Sequence, residues 1–232
     1  MEFHPNKCNV LTISRKQNPL RHQYTLHGHI LEAVTRAKYL GCLLTSDMRW
    51  NDHISSICGK ANKTLGFLRR NLNISSIKVK ENAYKSLVRP LVEYASSVWD
   101  PYQQKDIYRL EMIQRRAARY VSNRFGNRSS VDNMLNHLNW RSLEQRRKDA
   151  RLTLLYKIVN DKVCIEKSGR LITPSRRTRH TQQHSFQITS CSSDYRKFSF
   201  FPRTIREWNS LPPDIVTLET SDAFKAQVSL LH

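Results

Sequence analysis

The chain has 232 residues, 39% of them hydrophobic, and sets 39 lysines and arginines against 19 acids, a formal charge of +20 with an isoelectric point near 10.1. That apolar share suffices for one helical domain of ordinary size, alone or with a smaller appendage, and the charge repels itself unless an anion neutralises it, which puts nucleic acid first among ligand classes. No apolar run is long enough for a signal peptide or a membrane span, and no amphipathic anchor beside a polybasic run points to a lipid surface.

The expectation is therefore a soluble intracellular protein of nucleus or cytoplasm, neither secreted nor membrane-bound. The five cysteines, Cys8, Cys42, Cys58, Cys164 and Cys191, are scattered without the close spacing of a zinc or redox motif, and read as reduced, buried thiols.

The first segments read as extended. Cys8 to Ile13 alternates with a β-branched bias, Asn18-Pro19 signals a turn, and Tyr24 to His27 follows as a second strand, suggesting a small hairpin. A third extended segment, Lys38 to Leu44, ends at Thr45-Ser46-Asp47, and so few strands need a cover.

Beyond Asn51 or Asp52 as N-cap, the row Ile54, Ile57, Cys58, Ala61, Leu65, Leu68 and Leu72 predicts a long helix. Ser75 or Ser76 caps the next, with Val79, Ala83, Leu87, Leu91, Tyr94 and Val98 on its apolar face, Pro90 kinking it and Asp100-Pro101 ending it. A third helix starts near Gln103, with Ile107, Leu110, Ile113, Ala117 and Val121 inward and Lys105, Arg109, Arg115, Arg116 and Arg119 on its cationic side.

A short helix opens at 127–130 and runs through Leu135 and Leu138, and after Trp140 a longer one carries Leu143, Leu152, Leu155, Ile158 and Val159. Arg141, Arg146, Arg147, Lys148 and Arg151 crowd its first turns, where the helix dipole disfavours cations, an arrangement that suits a phosphate-contacting surface. From Cys164 the pattern dissolves into a basic flexible linker holding Arg176-Arg177-Thr178-Arg179-His180 and Gln182-Gln183, and then Phe198, Phe200, Phe201, Ile205, Trp208 and Leu211 precede a last helix with Phe224, Val228 and Leu231.

The fold class expected is mainly α, a helical bundle with a small N-terminal β-hairpin or sheet remnant and a C-terminal helical appendage. Its segments are 1–48 (β remnant), 49–161 (basic bundle), 162–198 (linker) and 199–232 (aromatic-rich helices).

Catalytic chemistry finds no starting point. Two-metal nucleotidyl transfer needs grouped carboxylates, and the sequence has no adjacent Asp-Asp pair. Asp52 reads as a cap, Asp100 as turn chemistry before a proline, and Glu93 as the ion-pair partner of Arg89. There is no Gly-rich phosphate loop, paired-histidine metal motif or nucleophile elbow, and His53 and His137 read as packing residues. No catalytic residue, metal ligand, cofactor or small-molecule substrate is assigned, and the chain alone is not expected to be an enzyme. The binding candidates are Arg115, Arg116 and Arg119, with Arg146, Arg147 and Arg151 as a second group, for RNA, DNA or their hybrid without sequence preference. Tyr39, Trp50, Trp99, Trp140 and Trp208 are expected in the core.

Several motifs carry a family likeness: Lys38-Tyr39-Leu40-Gly41, Trp50-Asn51-Asp52-His53-Ile54, Arg89-Pro90-Leu91-Val92-Glu93-Tyr94-Ala95, Val98-Trp99-Asp100-Pro101 and Ile113-Gln114-Arg115-Arg116-Ala117-Ala118-Arg119. Leu138-Asn139-Trp140, Leu143 to Arg147 and Phe200 to Asn209 extend it over nearly the whole chain. The chain resembles the C-terminal part of the reverse transcriptases of non-LTR (LINE-type) retrotransposons, jockey-like in character. The resemblance implies that Asn6-Lys7-Cys8 belongs late in the palm, that Lys38, Tyr39, Leu40 and Gly41 stand in the hairpin that grips the primer end, and that the helices after Trp50 are thumb-like. It also implies that fingers, endonuclease and the palm Asp-Asp motif lie upstream of Met1, so that this piece does not polymerise alone. Two alternatives stand beside the nucleic-acid-binding fragment: a truncated gene model of a complete reverse transcriptase, and a helical protein-interaction module.

Overall fold

The computed structural model describes residues 3–14, 16, 18–20, 22–125, 130–174 and 184–231. These form a mainly α-helical chain with three small two-stranded sheets, in two compact units, Met1–Asn73 and Ile74–His232. The expected helix opening at 127–129, Arg176 to His180 and Gln182-Gln183 lie outside the described residues.

The first unit contains β1 (Asn9–Leu11), β2 (Thr25–Leu26), β3 (His29–Ile30), β4 (Glu32–Val34), β5 (Arg36–Tyr39), β6 (Cys42–Thr45) and α1 (Asn51–Asn71). The hairpin expected between the first two segments does not form. β1 instead pairs in parallel with β4, and β2 turns back at once through His27-Gly28, with φ of 50° and 77°, to pair with β3. A two-residue turn with both φ positive closes the shortest loop and matches strand twist, so the local pairing wins over the distant one.

Lys38 to Leu44 is likewise not one extended segment. It forms most of the β5–β6 hairpin, turned at Leu40-Gly41 with φ of 44° and 85°, and registered with Tyr39 opposite Cys42.

In α1, Ile54, Ile57, Cys58, Ala61, Leu65 and Leu68 are buried, as their spacing predicts. Its N-cap is Trp50, neither Asn51 nor Asp52; Asp52 sits in the first turn, where the helix dipole favours an anion, and pairs with Arg36 at 3.2 Å. His53 is buried, and its Nδ1 accepts the Leu43 N–H at 3.2 Å, fastening α1 to β6.

The second unit contains α2 (Ile77–Ala83), a π-helical stretch at Tyr84–Val88, α3 (Arg89–Glu93), α4 (Ser96–Trp99), α5 (Gln104–Val121), α6 (Val131–His137), α7 (Leu143–Val159), α8 (Asp194–Lys197), α9 (Phe200–Trp208), α10 (Pro213–Val216) and α11 (Ser221–Leu230). Ser76, Ser130 and Ser142 cap α2, α6 and α7 by accepting backbone N–H groups of Val79, Asn133 and Gln145. Pro90 removes a helical donor, and the wider π turn ahead of it accommodates the loss.

α7 is the centre of this unit, packed by α4, α5, α9 and α11. Its Leu152, Leu155 and Tyr156 join Ile205, Trp208, Leu211, Phe224 and Val228 in one core.

The apolar face assigned to 79–98 is a correction. Val79, Leu87, Tyr94 and Val98 point to solvent, while Lys80, Tyr84, Val88, Val92, Ser96 and Trp99 are buried. Both rows have helical spacing and differ by one residue. The inward row tolerates Lys80 because its ammonium reaches the Asn123 amide oxygen and lies 5.1 Å from the Tyr120 ring centre.

Within the segment expected as a linker, His184 and Phe186 are held by residues at the end of α9. Asn209 brackets Phe186, accepting its N–H at 3.0 Å and donating to its carbonyl at 2.7 Å, and the Trp208 indole N–H donates to the His184 carbonyl at 3.0 Å. All five cysteines are free, but only Cys42 and Cys58 are buried; Cys164 is exposed. No helix among the described residues is long and apolar enough to cross a membrane.

Candidate nucleic-acid interface

α5 is amphipathic by arrangement. Ile107, Leu110, Ile113, Ala117 and Val121 are buried, so the opposite face, with Lys105, Tyr108, Met112, Arg115, Arg116 and Arg119, turns outward by the 3.6-residue period. Arg115 Nη1 donates to Asp132 Oδ1 of α6 at 2.7 Å, an ion pair open to water. Arg116 is exposed and Arg119 half-buried. Hydrogen bonding from Arg115 holds the exposed Asp132 carboxyl below its usual range.

Arg146, Arg147 and Arg151 are placed differently from expectation. Arg146 Nη2 donates to Glu93 Oε2 at 3.1 Å, and its Nε also contacts that carboxylate, which raises the Arg146 proton affinity. Arg147 is 0% exposed and donates from Nε to Asp100 Oδ1 at 2.6 Å. Arg151, 2% exposed, donates from Nη2 to both Glu207 oxygens at 2.7 Å and also pairs with Asp100.

Arg203 of α9 completes this cluster, with Nη1 at 3.2 Å from Asp100 Oδ2. Three guanidiniums thus share the carboxylates of Asp100 and Glu207. Burial pulls Arg151 and Arg203 down from the ordinary arginine range, and the charge of Glu207 opposes it. These side chains join α7 to α9 and to the α4–α5 junction; Arg147 and Arg151 do not present their charge to solvent. Asp100 is one of the two acids of this cluster, beyond the turn chemistry expected of it. Glu93 does pair with Arg89, at 3.7 Å, and adds Arg146.

The signal for this was in the spacing. Leu143, Arg147, Arg151 and Leu155 recur every four residues on α7, so the two arginines share a row with two core leucines.

In the first unit, Lys38, Tyr39, Leu40 and Gly41 crown the β5–β6 hairpin, all exposed. Tyr39, 65% exposed, is not a core residue as expected; Trp99 and Trp208 are, while Trp50 and Trp140 are half-buried. Leu40 holds a left-handed φ that a side chain adopts at a cost, a feature common at binding tips. α1 adds exposed Lys60, Lys63, Arg69 and Arg70 to this unit's surface. Among the described residues, no cluster of three or more His, Cys, Asp or Glu residues could hold a metal.

No family model and no solved structure matches the chain. Over 120 residues, 50% of the chain, it is 26% identical to a Drosophila melanogaster protein described as a probable RNA-directed DNA polymerase from transposon BS. The chain is similar to a transposon polymerase. It spans 13% of that relative's length. The likeness supports a relationship to retrotransposon reverse transcriptases, and through it a link to nucleic acid in general. The outward face of α5 carries exposed Lys105 and Arg116 beside half-buried Arg115 and Arg119.

Proposed function

We propose that the chain is a thumb-containing C-terminal portion of a LINE-type, jockey-like reverse transcriptase, lacking the palm Asp-Asp motif, and that it holds RNA, DNA or their hybrid inside the cell by backbone contacts with little sequence preference. The observation that carries this reading is the outward cationic face of α5, with Lys105, Arg115, Arg116 and Arg119 opposite a mostly apolar inner face that also holds Asp106 and Gln114. Such a surface tracks phosphate charge and shape. The β5–β6 tip, with Lys38, Tyr39, Leu40 and Gly41, is the primer-grip-like part of the same proposal.

Filter binding over a salt series tests it. Affinity should fall steeply with salt, and replacing Arg115, Arg116 and Arg119 together should lower the log–log slope by about two to three, at roughly 0.7–0.9 for each phosphate no longer neutralised. An unchanged slope removes α5 from the interface. Extension of a primed template by the purified chain would overturn the non-catalytic part.

A second reading, a protein-interaction module, is favoured by the exposed apolar residues Val79, Leu87, Tyr94 and Val98. Capture of a partner that survives nuclease treatment, and is lost on changing Leu87 and Val98 to serine, would favour it.

A further inference from the structure

Tyr108 stands on the α5 cationic face, one turn beyond Lys105, and is 63% exposed. Lys105 lies one turn before it, Met112 one turn after, and Arg115, Arg116 and Arg119 follow. No hydrogen bond or ring partner engages Tyr108 among the described residues, whereas Tyr84 and Tyr156 stack against Trp140 and Phe224 with centroids 4.5 and 4.4 Å apart. An unpartnered phenol ring between cations contributes little to the fold and leaves apolar surface in water. From Lys105 to Arg119 the face runs about 21 Å at 1.5 Å per residue, long enough to meet several nucleotides of one strand.

Cations alone neutralise phosphates and do not distinguish paired from unpaired strands. A ring lying among them adds a flat apolar surface, and bases within a duplex already have their faces covered by neighbours. We infer that Tyr108 is a stacking platform for an unpaired base, so that the α5 face takes single-stranded nucleic acid, or the single-stranded segment beside a duplex. This rests on the nucleic-acid reading above and specifies its ligand. Base-on-aromatic stacking contributes without regard to base identity, in keeping with low sequence preference.

The test compares wild type, Tyr108→Ala, Tyr108→Phe and the Arg115/Arg116/Arg119 triple variant by fluorescence anisotropy. The probes are a labelled oligo(dT) of about twelve nucleotides, within the usual site size for single-strand binders, and an abasic strand of the same length and charge. Tyr108→Ala should weaken oligo(dT) binding about 5- to 100-fold, corresponding to the stacking of one base, and leave the abasic strand and the salt slope unchanged. Tyr108→Phe keeps the ring and should bind as wild type does. The triple variant should weaken both strands alike.

Equal oligo(dT) affinity for Tyr108→Ala and wild type overturns the stacking role while leaving the charged face intact as an interface. A loss shared equally between oligo(dT) and abasic strands also overturns it, because the ring would then be acting through the helix and not through a base. Wild-type protein that binds neither strand at low salt sinks the nucleic-acid reading itself.

Discussion

Arg147 donates from Nε to Asp100 Oδ1 across 2.6 Å, and neither side chain is more than 4% exposed. The pair sits where α4 ends and α7 passes, with Arg151, Arg203 and Glu207 around it. Removing Asp100 leaves enclosed guanidiniums without their shared anion. Asp100→Ala should therefore destabilise the second unit by about 3–5 kcal/mol, and Asp100→Asn should restore only a small part. Denaturant unfolding measures it; a loss below about 1 kcal/mol, the range of surface pairs, would contradict the enclosure.

His53 must be neutral to accept the Leu43 N–H at Nδ1, and burial, with a smaller push from Lys60, lowers its proton affinity from the usual 6.5. A depressed folded-state value means the unfolded chain binds the proton more readily. The stabilisation is therefore complete above pH 6.5 and is lost as pH falls through the lower folded value. Hydrogen exchange at the Leu43 amide should accelerate, after correction for intrinsic rates, as pH drops from about 7 to 5. A His53→Gln variant should remove that pH dependence.

Glu111 of α5 accepts the Glu144 N–H at 2.8 Å, capping α7 from a neighbouring helix. Burial nevertheless raises its proton affinity above the ordinary glutamate value. The sign is opposite to that of His53: the contribution is full below about pH 4.5 and declines as pH rises through the higher folded value. Comparing the stability of wild type and Glu111→Gln from about pH 4 to 7 should show the wild type losing ground as pH rises. A constant difference would remove the linkage.

Neighbouring residues test which side of 77–99 faces inward. Trp99 is wholly buried, its indole N–H donating to the Tyr94 carbonyl at 2.8 Å, while Val98 is 57% exposed. Trp99→Ala should cost about 3–5 kcal/mol, and Val98→Ala should stay within about 0.5 kcal/mol. Comparable losses at both sites would mean that the outward row is covered.

The parts of the fold readable in the sequence are those with an uninterrupted helical period. The inner faces of α1 and α5 follow directly from it; Ser76 and Ser130 stand where helix openings are expected, whereas the Ser142 cap of α7 is not anticipated. Between 77 and 99, hydrophobicity favours the wrong one of two equally spaced rows, because the inward row carries Lys80 and Ser96.

At the candidate site, Arg115, Arg116 and Arg119 could be placed because an apolar inner face forces them outward. Charge misleads at Arg147 and Arg151, whose acidic partners lie 47 and 56 residues away. Only their place between Leu143 and Leu155 gives a local sign of burial. The same period turns Tyr108 outward, but nothing in its immediate sequence shows whether another ring or a hydrogen-bond partner meets it there.

The last thirty-odd residues are not a tail. Ile205, Trp208, Phe224 and Val228 share a core with Leu152, Leu155 and Tyr156 of α7, and each such side chain contributes about 1.5–3 kcal/mol by leaving water. A stop codon shortly before Phe200 would strip the central helix of one wall and strand Arg151 without Glu207. Damage within 200–228 is therefore no milder for this unit than damage in its middle, and α7 can settle only once those residues have been made.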